Sequence, residues 1–193
     1  MTLEALSADT EEIARLRHSA HCLHDKAAVD AAIESMATQI SGELAGTDPL
    51  LLCIMNGGLV LSGRLATLLD FPLQIDYLHA TRYRGEVRGA ELNWISYPRE
   101  RLAGRPVLLI DDILDEGNTL KAVAEYCEAQ GASRVYSAVL VEKIHGRRID
   151  GIKADCVGLK IEDRFVFGCG LDYKGYLRNA PGIFAIDEAE LSP

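Results

Sequence analysis

Residues 107–120 read Val-Leu-Leu-Ile-Asp-Asp-Ile-Leu-Asp-Glu-Gly-Asn-Thr-Leu, which places three aspartates, a glycine and a threonine just beyond an apolar run. Val107 to Ile110 is continuously apolar, the pattern of a strand buried on both faces. From Leu120 the period changes. Leu120, Val123, Ala124 and Cys127 fall at i, i+3, i+4 and i+7 of a helix face, and Gly131 is the predicted stop. A helix that starts from a tight loop presents unpaired N–H groups and the positive end of its dipole, so it binds a phosphate without a dedicated cation. Asp111 and Asp112 would suit Mg²⁺ or a sugar diol, Asp115 follows four residues after Asp111, and Gly117 and Thr119 complete a loop small enough to wrap one phosphate group.

Chemistry of this kind needs a frame that brings several strand ends together. Residues 50–55 form a second buried strand that runs directly into Asn56-Gly57-Gly58, where two glycines let the backbone approach a charged group such as pyrophosphate. Residues 135–141 form another strand, and the loop after Val141 is a third strand-end loop. Helical patterns at 59–69 and from Leu120 alternate with these strands. This predicts an α/β fold, a mostly parallel central sheet covered by helices on both faces, with ligands at the carboxyl ends of the strands. Residues 9–44 read as a helical region, 73–78 as a strand, and 81–96, rich in Arg82, Arg84, Gly85, Arg88 and Gly89, as a mobile excursion. The 193 residues, without repeat or linker, are expected to form one domain, 1–193.

The formal net charge is −9 and the pI about 5.0. That balance argues against a general nucleic-acid-binding surface, so a phosphate-rich substrate must be held by helix termini, metal and a few placed cations. No signal-peptide pattern and no membrane-length apolar run is present, and a cytoplasmic protein with no membrane or nucleic-acid partner is expected. Cys22, Cys53, Cys127, Cys156 and Cys169 are scattered without a CxxC pair and read as reduced thiols, mostly in the core. His18, His21 and His24 follow at spacing three, which would put them on one helical face, but no carboxylate or thiol set beside them supports a metal site.

The 107–120 segment resembles the phosphoribosyl-pyrophosphate motif of the type I phosphoribosyltransferases, and from about residue 50 to 186 the chain is similar to the hypoxanthine-guanine members. The resemblance implies the type I fold, with a small hood made from the terminal segments. It also implies that Asp111 and Asp112 meet the ribose hydroxyls and Mg²⁺, that Asp115 faces purine N7 as proton acceptor or donor, and that Glu116, Gly117, Asn118 and Thr119 wrap the 5′-phosphate. Asn56, Gly57 and Gly58 fall at the family's pyrophosphate loop, where a lysine is usual at the first position; Arg82-Tyr83 falls where its closing loop carries Ser-Tyr, so Tyr83 would cover the reacting centre.

Lys143 matches the lysine that hydrogen-bonds the exocyclic oxygen of an oxopurine, a contact that adenine, with a donor there, does not satisfy. Cys156 and Val157 are assigned to the place of the base-stacking aromatic and its neighbour, with Ile113 packing the base from the other side. Asp163 matches an aspartate that helps hold a second Mg²⁺ near the base, and Arg178 the arginine that meets pyrophosphate. The implied partners are phosphoribosyl pyrophosphate and a purine base, with assembly as a homodimer or homotetramer. Two alternatives stay open at this point, an RNA-binding regulator on the same fold and a transferase for xanthine or another base.

Overall fold

The computed structural model describes residues 3–82 and 92–190. Six strands make the main sheet: β2 (Leu50–Met55), β3 (Gln74–Arg82), β4 (Leu92–Ser96), β5 (Pro106–Leu114), β6 (Arg134–Ile144) and β7 (Cys156–Glu162), in the order β4-β3-β2-β5-β6-β7. All neighbours are parallel except the edge pair β3 and β4. The expected α/β class and mostly parallel sheet are therefore present.

The continuous apolar runs of the central strands divide residue by residue between two helix layers, as the pleat demands. Leu51, Leu108, Ile110 and Leu140 face α2 (Lys26–Leu44) and α3 (Leu59–Ala66), meeting Ile33, Met36, Leu61 and Leu65. Leu50, Leu52, Val107 and Leu109 point the other way, toward Leu120, Val123 and Cys127 of α4 (Asn118–Ala129). Gly131 follows α4 at φ +84°, the left-handed conformation that ends a helix at little cost to glycine.

The chain ends meet in a second, three-stranded sheet in which β9 (Ile183–Ala185) pairs antiparallel with both β1 (His21–His24) and β8 (Val166–Phe167). Phe167 and Phe184 stack there with centroids 5.4 Å apart. Ile13 and Leu16 of α1 (Leu3–Ser19) close its core with Tyr173, Leu177 and Ile186. This is the hood expected from the terminal segments.

The helical reading of 9–44 is corrected. The region splits into α1 and α2 around β1, because His21–His24 is claimed by a strand some 160 residues downstream that local periodicity cannot reveal. Asp25 starts α2 as an N-cap, accepting the Ala28 N–H at 2.8 Å. His18 consequently lies in the last turn of α1 while His21 and His24 lie on β1, so the three share no helical face. Part of the 81–96 excursion is ordered as the end of β3 and as β4; residues 83–91 lie outside the described residues. Cys53, Cys127, Cys156 and Cys169 are buried and Cys22 is exposed.

Gly58, at the start of α3, is hemmed by rigid groups: a Cβ there would sit 2.5 Å from the Ile110 carbonyl oxygen and 2.9 Å from that of Ile54. Its φ is an ordinary −65°, so only the close approach demands glycine. Gly58→Ala is expected to cost about 1–3 kcal/mol of stability, read as a lower urea midpoint at unchanged slope.

Candidate active site

Chain direction explains where the site lies. From β2 the chain passes through α3 to β3 on one side, and from β5 it passes through α4 to β6 on the other, so the β2/β5 pair is the point where the winding reverses. Crevices at the carboxyl ends of such strands are open to ligands because the two connecting loops diverge. A cleft of about 660 Å³ lies there, lined by Asn56 and Gly57 after β2, Asp111, Asp112, Asp115 and Thr119 on and after β5, and Lys143 on β6. The Met55–Asn56 peptide is cis.

β5 runs further than its apolar sequence suggests, through Leu114, and so carries Asp111 and Asp112 within the sheet. Both are 9 % exposed. The Asp112 N–H donates to Asp111 Oδ1 at 2.9 Å. Gly57 packs against the Asp112 carboxylate so closely that any side chain at 57 would collide with it. Burial pushes the Asp111 carboxyl well above its usual range and the Asp112 charge adds to the effect; burial likewise raises Asp112. The cation nearby is Arg178, whose Nη1 lies 3.7 Å from Asp112 Oδ2 and whose Nη2 lies 2.6 Å from Asp172 Oδ1. Its Nη1 also donates to the Gly170 carbonyl at 2.5 Å. One guanidinium among three carboxylates leaves this corner of the cleft short of positive charge, while among the described residues the group whose possible metal-ligand atoms converge within 4.8 Å of one another is Asp115, His145 and Asp163.

Asp115 occupies the opposite electrostatic setting. Its Oδ2 accepts from Lys143 Nζ at 3.2 Å and its Oδ1 meets His145 Nε2 at 2.7 Å, with Arg147 Nη2 at 3.8 Å. Burial works against its charge, yet Lys143 and His145 prevail and hold the carboxyl below its usual range. Lys143 Nζ also lies 3.7 Å from Asp163, which is clasped by Arg147; that hydrogen bond holds the Asp163 carboxyl down at about 2. Gly117 precedes α4 at φ +91°, and a bulky Cβ there would also strike Ile152.

The structure brings Asn56, Gly57, Asp111, Asp112, Ile113, Asp115, Gly117, Thr119, Lys143 and Arg178 to one cleft. Gly58 lies immediately behind, at the start of α3. Among the described residues Glu116 and Asn118 border the cleft without lining it: the Asn118 amide donates to the Glu116 carboxylate at 3.0 Å, which holds that acid on the loop surface. Tyr83 lies outside the described residues.

Cys156 and Val157 are corrections. Cys156 begins β7, is fully buried, and packs in the core with α2, while Val157 packs under α4. Both sit at the amino end of a seven-residue strand, roughly 20 Å of extended chain from the end that faces the cleft. The aromatic at the cleft is Phe165, with Val166 beside it. Phe165 is 40 % exposed and braced edge-on by Tyr173 at 5.6 Å. Asp163 lies beside Lys143 and Arg147, and its carboxylate converges with that of Asp115 and with the His145 ring within 4.8 Å; the acid facing Asp112 across Arg178 is Asp172. Two signals in the sequence could have found these residues: Phe165 follows the carboxyl end of β7 by three positions, and Asp172 is spaced six from Arg178.

The chain matches the family model "Phosphoribosyl transferase domain" over residues 19–174. It is 31 % identical over 156 residues to the hypoxanthine-guanine phosphoribosyltransferase of Streptococcus thermophilus, covering 80 % of this chain and 86 % of the relative. It is 32 % identical over 158 residues to the Bacillus subtilis enzyme of the same name, covering 81 % and 87 %. A crystal structure of a hypoxanthine phosphoribosyltransferase from Staphylococcus aureus superposes with a TM-score of 0.83 at 27 % identity, covering 90 % of this chain and 94 % of that one.

The buried acid pair has a measurable cost. An acid with a folded-state pKa above its unfolded value binds more protons when folded, so stability falls as pH rises from about 4 through the raised folded value. Asp111→Asn keeps the oxygen that accepts the Asp112 N–H and removes one charge. In metal-free protein it is expected to raise the calorimetric Tm by a few degrees at neutral pH, the gain disappearing below about pH 4, where both states of the wild type are protonated.

Proposed function

This chain belongs to the phosphoribosyltransferase family, and on that premise we propose that it transfers the 5-phosphoribosyl group from phosphoribosyl pyrophosphate to N9 of hypoxanthine or guanine, forming IMP or GMP and releasing pyrophosphate. The observation that carries this reading is the convergence, in one cleft, of the Asp111–Asp112 pair with Lys143 and Phe165. A sugar diol and metal are served at one end, an oxopurine at the other.

Each residue then has a physical task. The loop before α4 turns backbone N–H groups and the Thr119 hydroxyl toward the 5′-phosphate. Asp111 and Asp112 accept from the ribose hydroxyls. The Asn56–Gly57 backbone and Arg178 lie where negative charge grows on the leaving pyrophosphate. Mg²⁺, when bound, adds positive charge for the carboxylates and the leaving group. Phe165 stacks on the base. Lys143 has three protons, and with two directed at Asp115 and Asp163 the third donates to the exocyclic oxygen at purine position six, selecting against adenine. As C1–O breaks and its electron pair leaves with pyrophosphate, N9 bonds to C1 and the base loses a proton, which Asp115 takes or holds at N7. Tyr83 is assigned, by resemblance, to covering the reacting centre.

We take residues 1–193 as one such domain, working in the cytoplasm; no described helix is long and apolar enough to cross a membrane. We assign a second copy of the chain to the apolar face beside α3, where Leu59, Ile75, Tyr77 and Ile95 are all more than two-fifths exposed. Ile75→Asp is expected to lower the mass in sedimentation to that of a single chain, and an unchanged mass would remove this face from the assembly.

The direct test incubates the protein with phosphoribosyl pyrophosphate, Mg²⁺ and each purine in turn. Nucleotide should appear with hypoxanthine or guanine and not with adenine; no turnover with either oxopurine would sink the proposal. Asp115→Asn should lower kcat about a hundredfold or more and leave the KM for phosphoribosyl pyrophosphate nearly unchanged.

A further inference from the structure

His145 stands one residue past the end of β6, and its side chain is only 5 % exposed although it belongs to a polar loop. Both ring nitrogens are engaged. The backbone N–H of Arg147 donates to Nδ1 at 3.0 Å, so Nδ1 carries no proton. The remaining proton of the neutral ring is therefore on Nε2, and it is donated to Asp115 Oδ1 at 2.7 Å. The tautomer is thus set by a main-chain group, and the imidazole acts as a rigid spacer between a fixed N–H and one oxygen of the carboxylate.

We propose that His145 is the positioning residue for Asp115, holding its carboxylate plane at the orientation in which its unshared lone pairs face purine N7. Asp115 can turn about two side-chain bonds, and the other donors around it do not fix it. Lys143 is divided between Asp115 at 3.2 Å and Asp163 at 3.7 Å, and is itself assigned to the base. Arg147 Nη2 stands off at 3.8 Å and is committed to Asp163. His145 makes the short contact and has no other partner to serve at Nε2. Proton transfer falls steeply when donor and acceptor are misplaced by about 1 Å, so loss of this contact is felt in the chemical step before it is felt in binding. The inference rests on Asp115 having the role given above.

Two substitutions separate the halves of the ring. Gln places an amide N–H close to where Nε2 was and keeps the donation to Asp115; Asn places an oxygen close to where Nδ1 was and keeps only the acceptor for Arg147. With hypoxanthine, His145→Asn and His145→Leu should lower kcat about tenfold to a hundredfold with little change in the KM for phosphoribosyl pyrophosphate, while His145→Gln stays within about threefold of wild type. A merely structural imidazole that secures the loop would give the reverse order, with Asn the better replacement. Imidazole ¹⁵N spectra of the wild type should show the Nε2–H tautomer, with the Nε2–H resonance moving in Asp115→Asn. An Nδ1–H tautomer, an active His145→Leu enzyme, or rescue by Asn rather than Gln each overturns the proposal while the wild-type turnover keeps the parent reading intact. A wild type that transfers to neither oxopurine overturns both.

Discussion

Two carboxylates held out of water at the end of the central strand set the terms for the rest of this molecule. Asp111 and Asp112 are consecutive, so the pleat sends them to opposite sides of β5, yet both remain buried because the strand continues past them to Leu114. Their surroundings are fitted to that arrangement. Gly57 has no side chain because Asp112 occupies the space, and Gly58 has none because the carbonyl oxygens of Ile54 and Ile110 do. Arg178 must reach in from the carboxy-terminal segment, and it is steadied by the Gly170 carbonyl and by Asp172 before it meets Asp112. The paired acids thereby tie the hood to the sheet.

The cleft is electrically divided. Around Asp111 and Asp112 acids outnumber cations and burial raises their pKa values. Around Asp115, by contrast, Lys143, His145 and Arg147 surround the acids and keep them ionised. A substrate carrying metal and phosphates at one end and a neutral heterocycle at the other matches this division. The Asp111–Asp112 half is short of positive charge, while the Asp115 half has its carboxylates matched by Lys143 and Arg147. The chain can therefore be acidic as a whole and still handle a phosphate-rich substrate.

Much of this was legible in the sequence where chemistry and period coincide. The 107–120 segment announces strand, acids, loop and helix in order, and the structure keeps all four. Lys143 and Arg178 are also found at the cleft. What failed was register along β7. Cys156 and Glu162 belong to the same apolar-rich strand, and a single sequence does not say which end faces the ligand unless the strand's direction is counted from its neighbours; doing so would have passed over Cys156 and stopped at Phe165. β1 was illegible for another reason, since its partner β9 is remote in sequence and its four residues carry no period of their own. His145 gave no signal either, because a lone histidine after a strand becomes informative only when both nitrogens have found partners.

The hood also has a consequence in time. β9 is the middle strand of its sheet, and without it β1 and β8 have nothing to pair with. The six strands of the main sheet and the helices on its two faces are all complete in sequence by Glu162 at the end of β7, so this part can assemble as the chain leaves the ribosome. Val166 and Phe167, by contrast, gain their strand partner only after residue 185 has been made. A nascent chain thus has Asp111, Asp112, Asp115 and Lys143 in place on the sheet before the carboxy-terminal segment brings Phe165, Asp172 and Arg178 to the same cleft.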